Sequence, residues 1–326
     1  MRSSPTWPWR SRAKGGTLAL SLGESEVRYV FAREASERGA ALGAWGTESR
    51  GTQTREAFLK RVRGILPAAR RSLVVLGADD YHIVQLEAPN VPAAELRGAV
   101  RWRAMEFLPG SPHDYTLDVL GVAGPGEGVG KVIAVAAHND LVRARMLDCD
   151  ALGVALEVID VGETAQRNLL QAALAAEAAP PAVAGALVAG AGRALMVISV
   201  RGELHFFRRF EFNSDLVAVP VSEAQPEMMG EGAVAETAGR SLTQLQRSLD
   251  LWDDSYPHLP LQTLRVHAGD LTAAVVSRIA PEAGVDTRPL ELSALFQAPA
   301  GPAAPPWKDP AYLPLLGALL RPAPAP

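Results

Sequence analysis

The chain has 326 residues, 48% of them hydrophobic and 21% charged, with a formal net charge of −4. That length closes a sizeable core in more than one lobe, and so small a charge offers no electrostatic footprint for a nucleic acid backbone. The single cysteine, Cys149, excludes an internal disulfide and points to a reducing compartment, the cytosol.

Residues 1–14 form a basic, Pro-interrupted arm with no apolar run behind it, so no signal peptide is expected. Arg2, Arg10, Arg12 and Lys14 surround Trp7 and Trp9 there, a mixture that suits an anionic membrane surface and equally suits a solvated tail. Thr17–Leu22 and Val27–Phe31 predict two strands joined by a turn at Gly23–Glu26, followed by a helix over Arg55–Leu66 and a buried strand over Ser72–Gly77. Next comes a compact β-α-β-β-α unit: strand Tyr81–Glu87, helix Pro92–Leu108, strands Tyr115–Val122 and Val132–Ala137, helix Asp140–Leu152. Ala155–Asp160 adds a strand and Glu163–Ala176 a helix, before Pro180-Pro181 marks a boundary. The Ala-rich stretch Ala172–Ala191 holds Glu177 and that Pro pair and is too weakly apolar to span a bilayer.

The second half repeats the opening pattern: strand Ala186–Val188, turn Ala189–Gly192, strand Ala194–Val200, turn Arg201-Gly202, strand Glu203–Phe210. A polar loop over Val221–Gly232 leads to a helix carrying Leu242, Leu245, Leu249 and Trp252 at helical spacing. Leu264–Gly269 reads as a strand and turn, Gln297–Pro310 as a Pro/Ala-rich linker, Tyr312–Leu320 as a docking helix, and the last residues as a disordered tail.

Several familiar chemistries are excluded. Gly124–Lys131 lacks the Walker spacing, with Pro125 where glycine is needed and Val132 where a hydroxyl must ligate magnesium. The six histidines share no metal-ligand spacing, no G-x-S-x-G elbow occurs, and Cys149 has the surroundings of a buried structural thiol. On the helix starting near Pro92, Leu96, Ala99, Val100, Ala104 and Phe107 define an apolar face with Arg103 in its middle. A guanidinium there snorkels, pairs with a carboxylate or meets a partner; Trp102 beside Arg101, off that face, is either a binding hot spot or a filler of the lobe junction.

Two halves that each open with strand, turn, strand resemble the actin-like ATPase superfamily. Glu87–Arg97 with Ala99–Arg103, Glu157–Asp160 with Arg167–Leu169, and Gln246–Asp250 resemble the MshI family, pilus-biogenesis relatives of PilM, as does the Trp-bearing basic start. The resemblance implies an α/β, actin-like (ribonuclease H-like) two-lobe fold: arm 1–16, first lobe 17–177 with the insertion at about 81–154, second lobe 182–296, and linker, helix and tail 297–326. It implies a cytoplasmic scaffold of an MSHA-type pilus or type II secretion-like platform, peripheral to the inner membrane. Its partner would be the cytoplasmic N-terminal segment of a PilN-like bitopic protein, docking on the first lobe with Asn90, Pro92, Arg101, Trp102, Arg103 and Phe107 as the expected surface. Nucleotide would lie between the lobes against Gly23, Ser25, Gly190, Gly192 and Gly269. However, Ser21 stands where the superfamily places a metal-binding aspartate, and Leu187–Gly192 carries no acid. Phosphoryl transfer without those carboxylates forfeits charge neutralisation, so a pseudo-ATPase is expected, needing no cofactor. Residual ATP binding stays open, as does a reading in which the glycines only shape turns. The alternative is an active ATPase or sugar-kinase-like phosphotransferase with another acid in the cleft.

Overall fold

The structure is a computed structural model describing residues 15–122, 131–214, 217, 231–300 and 304–321. The arm 1–14, the glycine-rich stretch 124–130, most of the expected loop over 221–232 and the tail 322–326 lie outside the described residues.

Three sheets organise the chain. The first contains β1 (Thr17–Leu22), β2 (Glu26–Ser36), β3 (Gly39–Ser49), β4 (Arg71–Val75), β8 (Leu156–Asp160) and β14 (Phe296–Gln297), in the order β14-β3-β2-β1-β4-β8. The third contains β5 (His82–Glu87), β6 (Tyr115–Val122) and β7 (Lys131–His138), ordered β5-β7-β6. The second contains β9 (Val183–Gly190), β10 (Arg193–Val200), β11 (Glu203–Glu211), β12 (Thr263–His267) and β13 (Asp286–Pro289), ordered β11-β10-β9-β12-β13. In the first and second sheets alike, an antiparallel three-strand meander is extended by parallel strands, β1 beside β4 and β9 beside β12.

Local chemistry explains the elements. Four consecutive residues of β4, Ser72–Val75, are buried, because a parallel strand covered on both faces has no solvent side. Thr54 caps α1 (Arg55–Arg63) by accepting from Ala57 N, and Gly153 closes α3 (Asn139–Leu152) in the left-handed region that a glycine adopts without steric cost. The β9–β10 turn is the pair Ala191-Gly192, with φ of 51° and 76°, the two-residue geometry that follows strand twist. Gly190 therefore belongs to the strand, paired with Arg193, and not to the turn.

Between the halves runs α4 (Gly162–Leu174), which is buried on nearly every side. Its polar residues are shared out: Gln166 donates to Ala186 O and Leu195 O of the second sheet at 2.9 and 2.8 Å, and Asn168 to Gly317 O at 3.1 Å. Gly317 lies in α7 (Leu313–Leu319), which crosses α4 so closely that a Cβ added to Gly317 would stand 2.1 Å from Ala165 O. The remaining helices are α2 (Ala93–Ala104), α5 (Glu231–Ser255) and α6 (Thr272–Ala283). Trp252 of α5 is fully buried in the second half's core.

Four elements were not anticipated: β3, α6, β13 and β14. The linker expected over 297–310 is corrected too. Phe296–Gln297 pairs with Ala40–Ala41 of β3, and the C-terminal helix enters the first sheet's core with Ala19, Val30 and Leu73. Alternating proline and alanine give no periodic signal, yet stiff, apolar prolines pack without backbone donors to satisfy.

Candidate functional site

Two cavities frame the functional question. The larger, about 700 Å³, lies between the halves and is lined by Ser21 and Arg28 from the first, Gly190, Arg193 and Arg209 from the second, and Asp309–Ala311 from the C-terminal segment. Of the five expected nucleotide contacts, only Gly190 lines it; Gly23, Ser25, Gly192 and Gly269 are not brought together there. Gly23 and Ser25 close the first hairpin, where Gly23 N donates to Glu26 O at 2.9 Å and Ser25 O accepts from Arg50 N at 2.7 Å. Gly269 is left-handed, φ +61°, and starts the turn into α6; its Cβ position is 2.9 Å from Lys308 O. Carboxylates reach the cavity from places the motif reading did not cover, namely Asp79, Glu211 and Asp309. Among the described residues no three His, Cys, Asp or Glu side chains form a metal-holding group.

One wall of this cavity is a buried ionic cluster. Glu163, fully buried at the start of α4, is 2.7 Å from Arg209 of β11 and accepts from Tyr81 Oη at 2.5 Å. Gly162 N donates to the same Tyr81 oxygen at 3.1 Å, and Arg209 also reaches Tyr81 and donates to Ala78 O at 2.7 Å. Burial, and then the Glu163 charge, push the Tyr81 phenol far up, so it stays a donor. Periodicity shows only a helix here; the signal available in the sequence is the acid, amide, amide series Glu163, Gln166 and Asn168 among the Leu and Ala residues that pack the helix.

The second cavity, about 520 Å³, is a groove between the inserted unit and the first sheet. Thr116, Leu117 and Asp118 of β6 form one side, Ile159 of β8 with Val161 the other, and Val142 of α3, the guanidinium groups of Arg97 and Arg101, and His113 complete it. Both β6 and β8 are the terminal strands of their sheets, with no strand partner on their outer edges among the described residues. Arg101 is held at its rim by donating to Pro112 O and Tyr115 O, at 2.9 and 3.0 Å.

The other expected docking residues separate. Trp102 is 66% exposed and off the buried face, as its phase required. Phe107 was expected inside but is 57% exposed, whereas Met105 packs against the unit's core. The helix tightens to a 3₁₀ turn over Met105–Phe107, and the step per residue changes, so the inward position passes to Leu108. Arg103 is exposed and donates to Glu87 O at 3.2 Å, the snorkelling alternative among those its position left open. Asn90 and Pro92 sit in the connection before α2, Pro92 at its N-cap. Cys149 is buried, and burial followed by Asp148 and Asp150 pushes its thiol up to about 12, which keeps it from acting as a nucleophile.

Two halves built on the same meander, joined by crossing helices with a cavity between them, define the actin-like ATPase fold, carrying a β-α-β-β-α insertion in its first half. Among solved structures the chain is similar to the PilM-PilN type IV pilus biogenesis complex, with a TM-score of 0.67 and 21% identity over 94% of this chain and 99% of that one. It also matches the cytoplasmic domain of EpsL, an inner-membrane component of the Vibrio cholerae type II secretion system, at a TM-score of 0.48 and 12% identity, covering 94% and 95% of the two chains. A Bacteroides thetaiotaomicron protein with an actin-like ATPase fold matches at 0.46 and 8%, covering 85% and 91%. No protein-family model and no curated protein sequence matches the chain. No helix among the described residues is long and apolar enough to cross a membrane.

Proposed function

We propose that this chain is a cytoplasmic scaffold of a type IV pilus or type II secretion-like platform, of the MshI branch, that holds the N-terminal segment of a PilN-like inner-membrane protein without turning over ATP. The observation that carries this reading is the groove between β6 and β8. Two free strand edges beside an apolar floor accept an extended segment by strand addition: backbone hydrogen bonds supply affinity, and the pocket beneath selects alternate side chains. The likeness to a chain found in a PilM-PilN complex supports the choice of partner. The larger cavity supports the non-catalytic part, because Ser21 presents no carboxylate and the glycines expected around phosphate are dispersed.

Co-purification with a tagged cytoplasmic segment of the candidate membrane partner tests the reading. Val142→Arg, which fills the groove, and Arg101→Glu at its rim abolish capture, while Arg103→Glu, outside the groove, leaves it intact. Equal capture by all three variants moves the docking surface elsewhere. The phosphotransferase alternative is favoured by one observation, the carboxylates Asp79, Glu211 and Asp309 in the inter-lobe cavity. Steady ADP release that is silenced by Asp79→Asn or Glu211→Gln would establish it.

A further inference from the structure

Residues 305–312, ahead of α7, run along the inter-lobe cavity as two single 3₁₀ turns, Pro306–Lys308 and Pro310–Tyr312, with Asp309, Pro310 and Ala311 in its lining. It is stiff by composition and internally bonded. Pro305, Pro306 and Pro310 fix their φ angles, Lys308 N donates to Pro305 O at 3.1 Å, and the Asp309 carboxylate accepts from Ala311 N at 2.9 Å. On the first half, Trp307 stacks on Phe296 with centroids 6.2 Å apart, Tyr312 Oη lies 2.9 Å from Thr47 Oγ1, and Arg28 sits 5.5 Å over the Tyr312 ring. On the second half, Lys308 Nζ is 3.3 Å from Asp270. A Cβ on Gly190 would stand 2.8 Å from Pro310 Cβ, and one on Gly269 would stand 2.9 Å from Lys308 O. Both glycines therefore accommodate the segment; a side chain at either position would push it off.

We infer that residues 305–312 are an internal clasp that fixes the angle between the two halves, so that this angle does not depend on a ligand in the cleft. The clasp grips β2, β3 and β14 through aromatic and hydroxyl contacts, and it grips β9 and the β12–α6 turn through close packing that only glycine permits. Its proline content lowers the entropy lost in holding it there.

Spin labels on Glu34→Cys and Asp250→Cys, both exposed and on opposite halves, report the angle by electron paramagnetic resonance, since buried Cys149 resists labelling. The native clasp gives one narrow distance distribution that Mg-ATP does not move. Trp307→Ala with Pro310→Gly frees the segment, and Gly190→Val expels it from the opposite side; each broadens the distribution by several ångströms. Circular dichroism verifies that each variant is folded, and should Gly190→Val fail to fold, the double variant decides alone. A narrow, native distribution in the folded clasp variants overturns the inference, as does a shift of the native chain on adding Mg-ATP.

Discussion

Removing Arg209 isolates the most deeply buried charge at the lobe junction. Glu163 is fully buried, its ionic partner stands at 2.7 Å, and its other oxygen is held by Tyr81 at 2.5 Å. Breaking a buried pair from one side costs about 3–5 kcal/mol, because the remaining carboxylate keeps its desolvation penalty without its counter-charge. The Arg209 side chain is 30% exposed, so screening sets the expected loss at the lower end, about 3 kcal/mol. In a chain of 326 residues that lowers the melting temperature by about 4 °C. The assay is a double-mutant cycle in urea with Arg209→Met, Glu163→Gln and the combination. If the cluster is one unit, the pair costs little more than either single change, a coupling of about 2–3 kcal/mol. Additive losses, with coupling below about 0.5 kcal/mol, would refute the reasoning and reduce the pair to two unrelated side chains.

Further outcomes follow from other contacts. Gly317→Ala destabilises the chain by about 2 kcal/mol or more in urea unfolding, and Ala165→Gly does not rescue it, because the obstacle is a backbone oxygen. Rescue would show that side-chain volume governs the crossing. His267 is buried with an unpartnered Nε2, and burial holds its pKa down to about 4. The unfolded chain takes up that proton near pH 6.5 and the folded chain does not, so stability falls as pH drops from 7 to 4, by about 3 kcal/mol. His267→Leu removes that part of the slope, and an identical slope in the variant would refute the assignment. Tyr256 ties the inserted unit to the second half, accepting from Gln85 Nε2 at 2.6 Å beneath Lys131, which lies 4.2 Å from its ring centre. Tyr256→Ala should therefore weaken capture of the partner segment several-fold although Tyr256 does not line the groove; unchanged affinity in a titration would show that the unit is held by the first half alone.

Much of the fold was legible because its strands are bounded by turn chemistry. Gly23, the Arg201-Gly202 pair and Gly153 each close an element where a tight or left-handed backbone is needed, and their neighbours alternate or run apolar as the sheets require. What escaped lacked a local cause. β3 is rich in glycine and alanine, poor strand formers that are carried by pairing with β2, and β14 has two residues held by one partner. The groove was half legible: Arg101 stood out by its neighbours, but the free edges of β6 and β8 come from strand order, which no local window contains. Phe107 misled because helical phase was extended past the point where the helix changes its pitch.

The contacts between the halves do different work. At the crossing of α4 and α7 the backbones approach closely because Gly317 has no Cβ to meet Ala165 O, and Asn168 of α4 ties the same glycine by donating to its carbonyl. The Glu163–Arg209–Tyr81 cluster, close to Ala165 on α4, and the 305–312 segment, which runs directly into α7, each join groups from both halves, so they add to the hold that the crossing provides. A molecule that cycled through open and closed states would place ligand-dependent groups in those positions. Here the ties are a buried ion cluster and the chain's own prolines, an arrangement that favours the proposed scaffold, whose docking groove must stay formed.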